Sequence, residues 1–203
     1  MSSVEILIVI FSAFIVLLII VFVRSSMNKR VKEVFDKVAL ALGAQVGRSS
    51  FGTPRVEGHY QDVGFRVLYE HGMQNSPAVL RVRILKAPGF ALGFRREGLD
   101  TKLSKRIGLM KDLKIGVPDF DDEFFIETSD RTRCLAYLSG SENRDSIRRI
   151  YGLGWRARFD KDWLELSKSL RPTKGLTFDP TSLLEREKIV DLVQEGALLS
   201  RGY

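Results

Sequence analysis

ILIVIFSAFIVLLIIVFV, residues 6–23, contains one polar side chain, Ser12, and no charge. At about 1.5 Å per residue, a helix of this length covers roughly 27 Å, close to the hydrocarbon thickness of a bilayer. An amphipathic helix of a soluble protein would carry a polar stripe, and this run has none. Working outward, the sequence predicts a transmembrane helix over 6–23 and a juxtamembrane helix over 24–44. An α+β domain of antiparallel strands with packed helices is expected over 45–200.

The flanks predict orientation. Glu5 is the only charged side chain before the run, whereas Arg24, Lys29, Arg30 and Lys32 follow it. Basic flanks stay on the cytoplasmic side. The expectation is a single-pass protein of the plasma (inner) membrane, with its N-terminus outside and its domain cytoplasmic. A cleaved signal peptide is the rival reading. Against it, the run is long, has no basic segment before it, and is not followed by an A-x-A-like site.

The 203-residue chain carries a formal net charge of +7. Its mean hydropathy of −0.04 averages an apolar anchor with a charged domain. A basic balance points to anionic partners. Cys134 is the only cysteine, so no disulfide forms within the chain.

After the anchor, Met27, Val31, Val34, Phe35, Val38 and Leu42 recur at helical spacing, and Gly43 suits the stop. From 45 to 95 the period changes to two. Val56, Gly58 and Tyr60 alternate with Arg55, Glu57 and His59, and a turn is expected over 61–64. Phe65, Val67 and Tyr69 follow, then Leu80, Val82 and Ile84 against Arg81 and Arg83. Such alternation predicts antiparallel strands with one face open to water or a partner. Residues 90–95 read as a further strand and 101–114 as a helix with the stripe Leu103, Ile107, Met110, Leu113. Phe124, Phe125 and Ile126 read as a short buried strand. Asp130 and Ser141 are placed to open helices, and 155–166 form a hairpin. A terminal helix carries Leu183, Val190, Val193 and Ala197, with capping-box spacing from Ser182 to Glu185.

The chemistry-bearing patterns have structural explanations. The acidic run Asp119-Phe120-Asp121-Asp122-Glu123 partly mimics a calcium loop, but Phe124 stands where that loop needs glycine. A solvated turn entering a strand is the simpler reading. Gly152-Leu153-Gly154 carries the letters of a dinucleotide fingerprint in reversed context, a helix before and a strand after, so helix termination explains it. His59 and His71 belong to no zinc pattern, and Cys134 reads as a buried structural thiol. No cofactor and no metal are expected. Segment 81–114 holds ten Lys and Arg against three Asp and Glu, an excess equal to that of the whole chain. Lys102, Lys105, Arg106 and Lys111 within it are the candidate contacts to anionic lipid headgroups or a protein partner. Nucleic acid is not expected, because no recognition signature accompanies the charge.

Phe90-Ala91-Leu92-Gly93-Phe94-Arg95-Arg96-Glu97, then residues 116–126 and Ser129-Asp130, resemble a group of uncharacterised bacterial membrane-anchored proteins. In that group a phrase of the type G-D-x-x-F-D-x-x-F-x-V precedes a helix and a β-hairpin. This chain departs from it with Val117-Pro118 between Gly116 and Asp119. The resemblance implies a bacterial source, a tethered α+β domain, and an acidic phrase whose aspartates pin a turn through backbone N–H groups. It assigns no activity. The expected function is a non-enzymatic scaffold or interaction module at the cytoplasmic membrane face. The alternative is a small membrane-anchored hydrolase using the 119–123 carboxylates.

Overall fold

A computed structural model describes residues 3–49, 52–72, 77–96, 112–170 and 186–201. Helix α1, Ser3–Leu42, is one continuous helix of 40 residues, about 60 Å long. It is long and apolar enough to cross a membrane, and none of its most apolar window is buried in the protein. The same helix then becomes part of the core. Val31, Phe35, Val38 and Ala39 lie on one face and are buried. The segments expected to be transmembrane and juxtamembrane are thus two halves of one rod. Gly43, at φ +62°, ends it, and the Ala44 N–H returns to the Ala39 carbonyl at 2.8 Å. This is the left-handed cap that glycine accommodates without strain.

Eight strands form one antiparallel sheet: β1 Gln45–Arg48, β2 Pro54–Tyr60, β3 Val63–Glu70, β4 Ala78–Ile84, β5 Leu92–Arg96, β6 Phe124–Thr128, β7 Arg156–Phe159 and β8 Leu164–Leu170. Their spatial order is β1-β2-β3-β4-β8-β7-β5-β6. The last hairpin in sequence therefore fills the gap between β4 and β5. The β2–β3 turn is tighter than the sequence suggests. Gln61 and Asp62 alone make it, at φ 47° and 67°, while Val63 and Gly64 already pair in the strand. Two positive φ values match the twist of a two-residue hairpin.

Register explains the core. Val56, Val67, Val82, Leu166 and Ala157 stand opposite one another across five strands, and all are buried. The second half of α1 packs on β1 and β2. Helix α5, Arg186–Ser200, packs on β4 and β8 through Ile189, Leu192, Val193 and Ala197. Val190, expected on the buried stripe, is only half-buried. A Cβ on Gly196 would come 2.8 Å from the Ile84 side chain, so glycine permits this close approach. Helices α3, Arg131–Ser139, and α4, Ser141–Gly152, complete the layer on the β5–β7 side. Asp130 caps α3, accepting the Arg133 N–H at 3.0 Å.

The acidic phrase enters a strand as expected, but as a short helical turn with Asp121 buried rather than as a solvated turn. Helix α2, Pro118–Glu123, leads directly into β6. The Asp121 carboxylate is buried and accepts the N–H groups of Ile115 and Gly116, both at 2.9 Å. Gly116 adopts φ +82° within this turn. Asp119 and Asp122 are exposed, so only one of the aspartates pins the turn.

Candidate functional site: an open arginine-lined sheet face

The alternation that sends apolar side chains to the helices sends charged ones to the other face. Register joins them into a row. Glu57, Arg66, Arg83, Glu165, Arg158, Gly93 and Glu127 stand opposite one another across seven strands. Arg55, Leu68, Arg81, Ser167 and Arg156 form the neighbouring row. Seven arginines on this face, counting Arg95, thus stand against the glutamates at 57, 70, 127 and 165. At the β6 edge Phe125 shares this parity yet is fully buried, so the open surface stops short of that corner.

The charges are ordered. Glu165 is buried and accepts from Arg81 Nη1 at 2.5 Å and from Arg83 Nη2 at 2.7 Å. Arg81 also reaches Glu70 at 3.0 Å, and that hydrogen bond, with Glu165 adding to it, holds its guanidinium more firmly protonated. The Arg83 guanidinium lies 4.8 Å from the Trp163 ring centre. Glu57 pairs with both Arg55 and Arg66. Arg156 and Arg158 differ. Both are exposed, and neither has an ion-pair partner among the described residues.

These two arginines border a groove of about 770 Å³. Gly93 lies on its floor, where a Cβ would find only Glu127 Oε2, at 3.9 Å. Arg95 and Glu127 form one wall and Arg81 and Ser167 the other. The result is an open trough with two uncommitted guanidinium groups and flanking hydroxyls. It suits carboxylates on a partner surface, which arginine binds through paired N–H donors.

The other candidates fall elsewhere. Lys102, Lys105, Arg106 and Lys111, with most of the expected 101–114 helix, lie outside the described residues; 112–114 are not helical, and Leu113 is buried. The capping box at 182–185 also lies outside them. The 119–123 carboxylates do not converge. Asp121 is spent on backbone N–H groups, and Glu123 pairs with Arg148 at 3.1 Å. Among the described residues no group of three His, Cys, Asp or Glu could hold a metal ion. Gly154, at φ +77°, follows the end of α4 as helix termination requires. Cys134 is buried, and burial pushes its thiol up to about 11 against a hydrogen bond from Thr128. His71 contacts Asn28 of α1 at 2.8 Å, tying the end of β3 to the helix. Sequence patterning exposed each strand's polar face, but not the register that assembles Arg83, Glu165 and Arg158 from distant segments. No family model, curated protein or solved structure matches the chain.

Proposed function

We propose that this protein is a membrane-tethered, non-catalytic binding module that presents its open sheet face to an acidic segment of a protein partner at the cytoplasmic surface. The groove bordered by Arg156 and Arg158 is the observation that carries the reading. Unbroken basic stripes suit nucleic acid, whose phosphates would meet Glu57, Glu127 and Glu165 here. A mosaic of arginine and glutamate suits a polypeptide that offers both carboxylates and donors.

Continuity of α1 supports tethering. The rod that carries the apolar run also supplies Val31, Phe35 and Val38 to the core, so anchor and domain are one mechanical unit. The excess of basic residues after the run supports a cytoplasmic domain. A photoreactive residue at Gly93, introduced into the full-length protein in its native cells, should give a discrete protein adduct. Arg156→Gln with Arg158→Gln should reduce that adduct on the order of tenfold, as loss of two charge-assisted contacts predicts. No adduct, or one indifferent to both arginines, would refute the reading.

A further inference from the structure

The register places Arg48, Pro54, Glu70, Ala78, Leu170 and Arg96 at strand ends along one rim of the sheet. Helix α1 leaves the domain past this rim, where Asn28 meets His71. From Asn28 back to Val23, the last residue of the apolar run, is about 8 Å of helical rise. A headgroup layer is about as thick.

At this level a cleft of about 560 Å³ opens between α1 and strand β1, with Gly52 and Pro54 at its rim. Its helical wall carries Val21, Arg24, Asn28, Lys29 and Lys32, which share one face of α1. Arg48 faces them from β1, and Val46 and Pro54 add apolar surface. Lys32 is engaged with Asp36 at 2.8 Å. Arg24, Lys29 and Arg48 have no ion-pair partner among the described residues. The cleft begins beside the apolar run at Val21 and ends among cations.

We infer that this cleft binds the headgroup of an anionic glycerophospholipid, with Arg24, Lys29 and Arg48 around the phosphate and Val21 beside the first acyl carbons. Three uncommitted cations supply the charge complementarity. The apolar residues among them suit an amphiphile better than a free anion. The inference rests on the reading that α1 crosses the bilayer.

The test uses full-length protein in neutral detergent, titrated with phosphatidylglycerol or phosphatidylcholine, with bound lipid counted by native mass spectrometry. Wild type should retain one phosphatidylglycerol in preference to phosphatidylcholine. Lys29→Gln with Arg48→Gln should lower that preference on the order of tenfold. The charge-matched pair Lys37→Gln with Lys161→Gln should keep it. Equal retention of both lipids by wild type would overturn the inference. So would a preference lost only when Lys102, Lys105, Arg106 and Lys111 become Gln, or displacement of the lipid by an equal concentration of inorganic phosphate. Alkaline carbonate extraction of the same cells tests the spanning helix separately. Release of the protein would refute the membrane reading itself, whereas retention without lipid preference would refute only the cleft.

Discussion

The two faces of the sheet are built from alternate residues of the same strands and obey different rules. On the helix-covered face, Val82 and Leu166 stand opposite each other and are fully buried. One residue along, Arg81 and Ser167 stand opposite each other and line an open groove. The first face has a use that folding alone explains. The second face keeps seven arginines where shorter polar side chains would hydrate equally well, and it leaves Arg156 and Arg158 without ion-pair partners among the described residues. Accessible charges held in fixed positions can complement a partner's charges, which gives specificity and steers encounter.

Adjacent substitutions on β8 give the largest expected contrast. Leu166→Ala removes packing at the centre of the core row and should cost about 3 kcal/mol in chemical denaturation. Ser167→Ala, on the open face, should stay within about 0.5 kcal/mol. Comparable losses at both positions would mean that the second face is covered and packed.

A smaller contrast separates two carboxylates near β6. Asp121 is buried and accepts two backbone N–H groups, so Asp121→Ala should destabilise by about 2 kcal/mol. Glu127 is only half-buried and reaches Arg95 only at 3.5 Å, so Glu127→Ala should cost less than about 0.5 kcal/mol. If added calcium raised the melting temperature of wild type and not of Asp121→Ala, the carboxylate would be a ligand instead of a turn anchor.

The smallest effect is one of pH. Burial, and then the positive charge of Arg24, lowers the pKa of His71 from 6.5. The unfolded chain therefore takes up the proton first as pH falls. Stability should be fully present above about pH 6.5 and decline as pH drops toward the folded value. His71→Gln should flatten that slope in a melting-temperature series from pH 7.5 to about pH 5. An unchanged slope would show that His71 does not couple β3 to α1.

Much of this architecture could be read from the chain. The period of two at 54–84 revealed strands with one polar face, and the helical spacing at 31–42 revealed the packed half of α1. Asp130 announced a cap that the structure contains. Local patterning failed where distant pairing decides. Nothing in Trp155 to Leu166 shows that this hairpin inserts between β4 and β5, yet that insertion brings Arg158 beside Glu165 and Gly93. The two-residue turn at Gln61-Asp62 lacks the glycine that usually announces it. The 119–123 phrase reads as a solvated turn because its charges dominate the pattern. Its fold instead follows from Pro118 opening a helical turn and Asp121 reaching back to Ile115 and Gly116.

The occupancy of the open face can be measured directly by cysteine protection. Cys134 is buried and its thiol is held protonated, so it contributes little background. Ser167→Cys reports on the groove, and Ser141→Cys, at the exposed start of α4, reports on the far side. Both should react with a thiol reagent in purified full-length protein. In native membranes Ser141→Cys should react as before while Ser167→Cys is slowed on the order of tenfold, because a partner covers the groove. Equal reactivity of Ser167→Cys in native membranes and in the purified protein would contradict the assignment of this face as a binding surface.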